Sequence, residues 1–164
     1  MTRLSQIPSK EDWGNYERDF DTKYAYEKFG GKTLEEVMVY VETAALGASE
    51  CLSYMPEIPF QYYIFSFEKF LITAQLMDDE YAKTEATGGA STFLRLVLDK
   101  LTTNPWMILP VMEELMPVLE YVSSHQSYFD ADIEIYGSFS ALLEQIKGMY
   151  QIALNSERQK FGET

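Results

Sequence analysis

The chain has 164 residues, enough for one domain that buries roughly 70% of its unfolded surface without help from a metal or a disulfide. With 46% hydrophobic and 24% charged residues it excludes global disorder, and a lone cysteine (Cys51) and a lone histidine (His125) exclude a disulfide framework, a cysteine-cluster zinc site and a multi-histidine metal centre. Its abnormal feature is charge: 26 acidic residues stand against 13 basic ones, a net charge of −13 and an isoelectric point near 4.4.

The first eight residues carry neither an apolar core nor a small-residue cleavage site, so no secretory signal is expected, and a free thiol fits a reducing cytoplasm. Residues 1–32 hold six basic residues and six acidic ones, together with Trp13, Tyr16, Phe20, Tyr24, Tyr26 and Phe29. Rings at that density are seldom left in water, so this segment is expected to be an arm packed on the body, ended by Gly30-Gly31. The main bundle is expected over residues 33–157.

Thr33 with Glu36 three residues later is a capping box, and Leu34, Val37, Met38, Val41, Ala44, Ala45, Ala48 and Leu52 repeat at helical spacing. One amphipathic helix is predicted, with Glu35, Glu36, Glu42 and Glu50 outward. The small residues Ala44, Ala45, Gly47 and Ala48 allow a neighbouring helix to approach closely. Pro56 closes this helix, and Pro59 suits the first turn of the next. From Phe60 to Met77 apolar residues fall on every side, which predicts a central buried helix. The stretch from Ile58 to Met77 is interrupted by Gln61, Glu68, Lys69 and Gln75, so no membrane span is expected.

Within Asp78-Asp79-Glu80 an aspartate is expected to cap a new turn, because carboxylates are disfavoured at a helix C-terminus. Thr87 to Ser91 reads as a linker of turn residues, followed by a helix from about Ser91 to Leu101. Asn104-Pro105 reads as an N-cap with proline at the first helical position. A stripe of Ile108, Val111, Met112, Leu115, Leu119 and Val122 follows, kinked by Pro110 and Pro117, with Glu113, Glu114 and Glu120 on the far side. Trp106 beside that corner is placed either to anchor an interface or to staple the kinked helix. A last helix is predicted from about Ser140 to Glu157, with Leu142, Ile146, Met149 and Ala153 inward. The expected fold is an all-α, single-domain bundle of about five helices with an aromatic N-terminal arm and one proline-kinked helix.

Motifs that would carry chemistry fail on inspection. Gly30-Gly31-Lys32-Thr33 has the ending of a phosphate-binding loop, but Tyr26 stands where the motif needs its first glycine. Asp130-Ala131-Asp132-Ile133-Glu134 opens like a calcium loop, but Ile135 and Ala141 replace its glycine and closing glutamate. Glu120 lies five positions from His125, which is the wrong spacing for a di-iron site. Cys51 reads as a small core residue and His125 as a solvated helix-end residue, so neither catalysis nor a cofactor is expected.

The charge sits in the helices. Residues 34–81 carry nine acids and one base, and no lysine or arginine occurs between Pro105 and Ile146. Such acidity serves plain solubility, and it also steers in a basic protein; direct nucleic-acid binding is disfavoured because phosphates require lysine and arginine. The expected function is a non-enzymatic, acidic interaction module that masks or adapts a basic protein partner, in the manner of an immunity protein or inhibitor. Its contact residues would be Glu35, Glu36, Glu42 and Glu50 on one face, and Glu113, Glu114 and Glu120 on another. The alternative is a small-molecule-binding or enzymatic domain with a pocket among Tyr62, Tyr63, Trp106 and the kinked helix. A third reading is a homo-oligomer in which the all-round apolar second helix lies partly in a subunit interface.

Overall fold

A computed structural model describes residues 4–162, among which there are ten α-helices and no strand. The fold is all-α. The helices are α1 (Phe20–Phe29), α2 (Leu34–Thr43), α3 (Ala45–Ser53), α4 (Glu57–Tyr63), α5 (Ser66–Thr73), α6 (Glu80–Thr103), α7 (Pro105–Ile108), α8 (Met112–Ser124), α9 (Ile133–Tyr136) and α10 (Phe139–Lys160). They exceed the expected five because three of the predicted helices are divided and because α1 and α9 add two more. One hydrophobic core runs from Trp13 to Ile146, and among the described residues no helix is long and apolar enough to cross a membrane.

In the N-terminal segment, whose residues 1–3 lie outside the described ones, two 3-10 turns (Glu11–Trp13 and Tyr16–Arg18) lead into α1. Asp19 caps α1 through the backbone N–H groups of Asp21 and Thr22. Trp13 meets the Tyr26 ring edge-on at 5.3 Å, Tyr16 stacks on Tyr26 at 3.9 Å, and Phe29 meets Tyr63 at 5.2 Å. Trp13, Tyr16 and Phe29 are therefore buried, whereas Phe20 and Tyr24 face solvent. The arm is tied further by the Tyr63 hydroxyl, which donates to the Lys32 carbonyl at 2.8 Å. Gly31 adopts φ +72°, a left-handed conformation that turns the chain into α2 at little steric cost.

The Thr33–Glu36 capping box forms on α2. The helix predicted beyond it breaks at Ala44 (φ −153°, ψ 61°), and α3 sets off in a new direction. The region that is apolar on all sides also bends, through the short turn at Ile64-Phe65, and its residues Phe60, Tyr62, Tyr63, Ile64, Phe67, Phe70 and Leu71 are buried within this one chain. Ile72 and Leu76, in the same region, remain exposed. Asp79 caps α6, accepting from the N–H groups of Tyr81 and Ala82.

The expected linker at residues 87–91 is instead the interior of α6, a helix of 24 residues. The physical reason lies outside α6: a Cβ on Gly89 would stand 3.1 Å from the Ala45 Cβ and 3.5 Å from the Phe70 ring. Gly89 is there for the approach of α3, and helix propensity yields to packing. The stretch from Pro105 divides into α7, a 3-10 turn at Leu109–Val111 containing Pro110, and α8, which accommodates Pro117 in its interior. Ile133–Tyr136 forms a separate short helix, α9, capped by Asp132, and α10 starts on a Ser138 cap and runs for 22 residues.

The two adjacent glycines of α6 should respond oppositely to substitution. A Cβ on Gly88 meets nothing within 4 Å, so Gly88→Ala is expected to raise stability by about 0.5–1 kcal/mol through the usual glycine-to-alanine gain in a helix. Gly89→Val must force α3 and α6 apart and is expected to lower it by about 1–3 kcal/mol. Urea unfolding of both variants measures the pair. Equal effects at the two positions would remove the close-packing role from Gly89.

Candidate functional site

The seven glutamates singled out in the sequence do different things in the fold. Glu36 is spent on the capping box, where its carboxylate accepts from the Thr33 N–H at 2.7 Å. Glu120 pairs with Lys147 at 3.4 Å, joining α8 to α10. Glu114 is half-buried on α8, and Glu113, one residue earlier, is exposed. Among the described residues Glu35, Glu42, Glu50 and Glu113 have no hydrogen-bonding or ion-pair partner. The break at Ala44 takes Glu50 off the α2 surface that carries Glu35 and Glu42. Glu50 instead shares a small hollow with Asp21, Tyr24, Cys51 and Tyr54, beside α1. Asp21, which the sequence did not single out, is the acid that the tertiary fold adds to Glu50.

The residues of the motifs weighed in the sequence have these places in the fold. Lys32 Nζ donates to the Lys28 carbonyl at 2.6 Å and Thr33 caps α2, so the glycine-lysine-threonine run is a helix junction. Asp132 caps α9. Cys51 is buried at the hollow's floor, and that burial pushes its thiol up, opposed by a hydrogen bond from Tyr40 and by the nearby Lys28 charge. His125 stacks on Tyr121 at 4.3 Å, and its Nδ1 lies 2.7 Å from the Tyr121 carbonyl, which can only accept, so Nδ1 carries the proton. Cys51 and His125 therefore have separate partners. Among the described residues no cluster of three or more His, Cys, Asp or Glu side chains is arranged to hold a metal ion.

The residues considered for a pocket, Tyr62, Tyr63 and Trp106, differ in their placement. Tyr62 and Tyr63 lie inside the core, whereas Trp106 is 54% exposed at the start of α7. Asn104 and Pro105 put it there by starting a new helix across the end of α6. Trp106 faces the C-terminal half of α10, and between them runs a groove of about 180 Å³ floored by Leu101, Leu109, Met149 and Ala153. A second hollow of about 330 Å³, containing Pro110, Tyr150, Leu154 and Phe161, adjoins it and shares Leu109 and Glu157. Ile152 and Phe161, 57% and 79% exposed, extend the apolar surface along α10. The charged lining residues are Glu113, Glu157 and Lys160. Met149, expected inward, is half-buried and packs against the core, and it also lines the groove.

No protein-family model matches the chain, and comparison with curated proteins and with solved structures returns no match either.

The buried tyrosines set an alkaline limit. Desolvation raises the pKa of Tyr40 and of Tyr63 well above the ordinary value of about 10, so the native state holds phenol protons that the unfolded chain releases above that pH. Stability conferred below pH 10 is then lost as the pH rises beyond it. Burial acts on Lys100 with the opposite sign: its pKa is lowered, so between that lowered value and about 10.4 it adds stability as pH rises. Denaturant midpoints should therefore fall steeply above pH 10. Tyr63→Phe should lose about 1 kcal/mol at neutral pH with its hydrogen bond, and should reduce the alkaline slope by up to about 1.4 kcal/mol per pH unit. An unchanged slope would exclude Tyr63 as a source of the alkaline sensitivity.

Proposed function

We propose that this chain is a non-enzymatic interaction protein that binds, and masks or adapts, a basic protein partner in the cytoplasm. The observation that carries the reading is the set of carboxylates on Glu35, Glu42, Glu50 and Glu113, none of which has a hydrogen-bonding or ion-pair partner among the described residues. Acids bound into the fold are paired or cap helices; these four make no such bond, and of them Glu35 and Glu113 lie in the first turns of α2 and α8, where the helix dipole favours them. With a net charge of −13 they add to a field that raises the encounter rate of a positively charged protein and repels nucleic acid.

The test is capture of the partner from native-host extract at low salt, followed by elution with rising salt. Surface-charge binding weakens as the Debye length falls from about 10 Å at 0.1 M to about 3 Å at 1 M salt. A stoichiometric basic protein should elute in that range. The combined variant Glu35→Gln, Glu42→Gln, Glu50→Gln, Glu113→Gln should bind that purified protein at least about fourfold more weakly, since exposed pairs contribute about 0.2–1 kcal/mol each. Capture of no specific protein, or undiminished binding by the combined variant, would refute the proposal and leave the acidity as a solubility device.

A further inference from the structure

Electrostatic attraction of a partner leaves open what holds it once it arrives, and the groove between α7 and α10 offers an apolar seat. We infer that this groove docks an amphipathic segment of the basic partner, apolar side chains in the groove and lysine or arginine along its edge. The inference rests on the reading of the preceding subsection and names the surface that would complete it.

Three observations support this occupant. The first is shape: the two adjoining hollows follow α10 from Met149 to Phe161, about 18 Å at the helical rise, which suits an elongated segment better than a compact ligand. The second is composition. Trp106 and Ile152 are each more than half exposed over an apolar floor, and a tryptophan beside a groove is the residue type that most often anchors an interface. The third is charge. Glu113 and Glu157 line the groove against the single lining cation Lys160, and α8 carries no lysine or arginine. A second copy of this chain fits less well, because a two-fold interface sets the same patch against itself and brings glutamates and two charges of −13 together.

The probe is a fluorescein-labelled peptide of leucine and lysine at helical spacing; its counterpart carries glutamate in place of lysine. Binding is read by peptide anisotropy and by tryptophan emission, since Trp106 is exposed and the other tryptophan, Trp13, is buried. The lysine peptide is expected to bind and shift Trp106 emission to shorter wavelength, and the glutamate peptide to do neither. Trp106→Ala and Ile152→Glu, both at exposed positions, should each weaken binding about tenfold or more. Glu113→Gln combined with Glu157→Gln should weaken it too and flatten its salt dependence.

Salt-dependent binding that is undiminished in Trp106→Ala and Ile152→Glu would overturn the groove while leaving the acidic-surface reading standing. Equal binding of the glutamate peptide would overturn the charge selection. Failure of both peptides to bind the unmodified protein would overturn the groove, and the fate of the acidic-surface reading would then rest on capture from the extract. A dimer in sedimentation that dissociates in Trp106→Ala would replace the proposed occupant with a second copy.

Discussion

The crossing of α3 and α6 is the constraint on which the rest of the bundle depends. Ala45 and Gly89 bring the two backbones together, and α6 also supplies charge to both ends of α3. At the N-terminus the Ala45 N–H donates to the Glu85 carboxylate at 3.0 Å, replacing the side-chain cap that Ala44 cannot provide. At the C-terminus the buried Lys100 ammonium donates to the Ser53 carbonyl at 2.8 Å and lies 5.4 Å from the centre of the Phe60 ring. Both charges have the sign favoured by the helix macrodipole. A buried ammonium without a carboxylate partner is costly, and here a carbonyl, an aromatic face and the negative end of α3 share the compensation.

With α3 held in this way, the break at Ala44 becomes intelligible. A single straight helix from Leu34 to Ser53 could not both lay α2 against α5 and run α3 along α6. The bend exposes an N–H at Ala45, and Glu85 is in place to satisfy it. The same bend directs Glu50 towards α1, so a packing requirement in the interior changes which acids are neighbours on the surface.

Local signals in the sequence translated into structure where the physics was local. The Thr33–Glu36 box, the Asp79 cap, the start of α7 at Pro105 (where Asn104 sits at the N-cap without a side-chain cap bond) and most of α10 depend on residues one to four apart, and each is visible in the sequence. The linker expected at Gly88-Gly89 was misplaced because glycine's usual preference for turns was outweighed by a contact with Ala45, more than forty positions away. The bend at Ile64-Phe65 was hidden for another reason: a segment that is apolar on all sides has no amphipathic face whose change of direction could report it. At the surface, Trp106 was visible as an unusual residue beside a proline corner. Its groove was not, because it needs the distance between α7 and α10. The spacing of Met149, Ile152 and Ala153 marks one side of α10 without saying whether a neighbour covers it.

A net charge as large as −13 invites treatment of all its carboxylates as one surface, and the fold argues against that. Asp19, Asp79, Asp132 and Glu36 accept from backbone N–H groups at the starts of α1, α6, α9 and α2, and Glu85 does so for α3. These carboxylates stabilise helix N-termini, and a partner that drew them away would leave backbone donors without acceptors. The acids that can meet a cation at no such cost are the remainder, with Glu35 and Glu42 on α2, Glu50 near Asp21, and Glu113 at the edge of the apolar groove. Their dispersion suits long-range attraction, which sums over the whole molecule. A bound orientation needs something local and directional, and at Glu113 the unpaired charge lies next to exposed apolar surface. On the proposed reading, charge that accelerates encounter and apolar area that retains what has been encountered act at different distances, and the end of the bundle bearing α7 and α10 carries both kinds of surface.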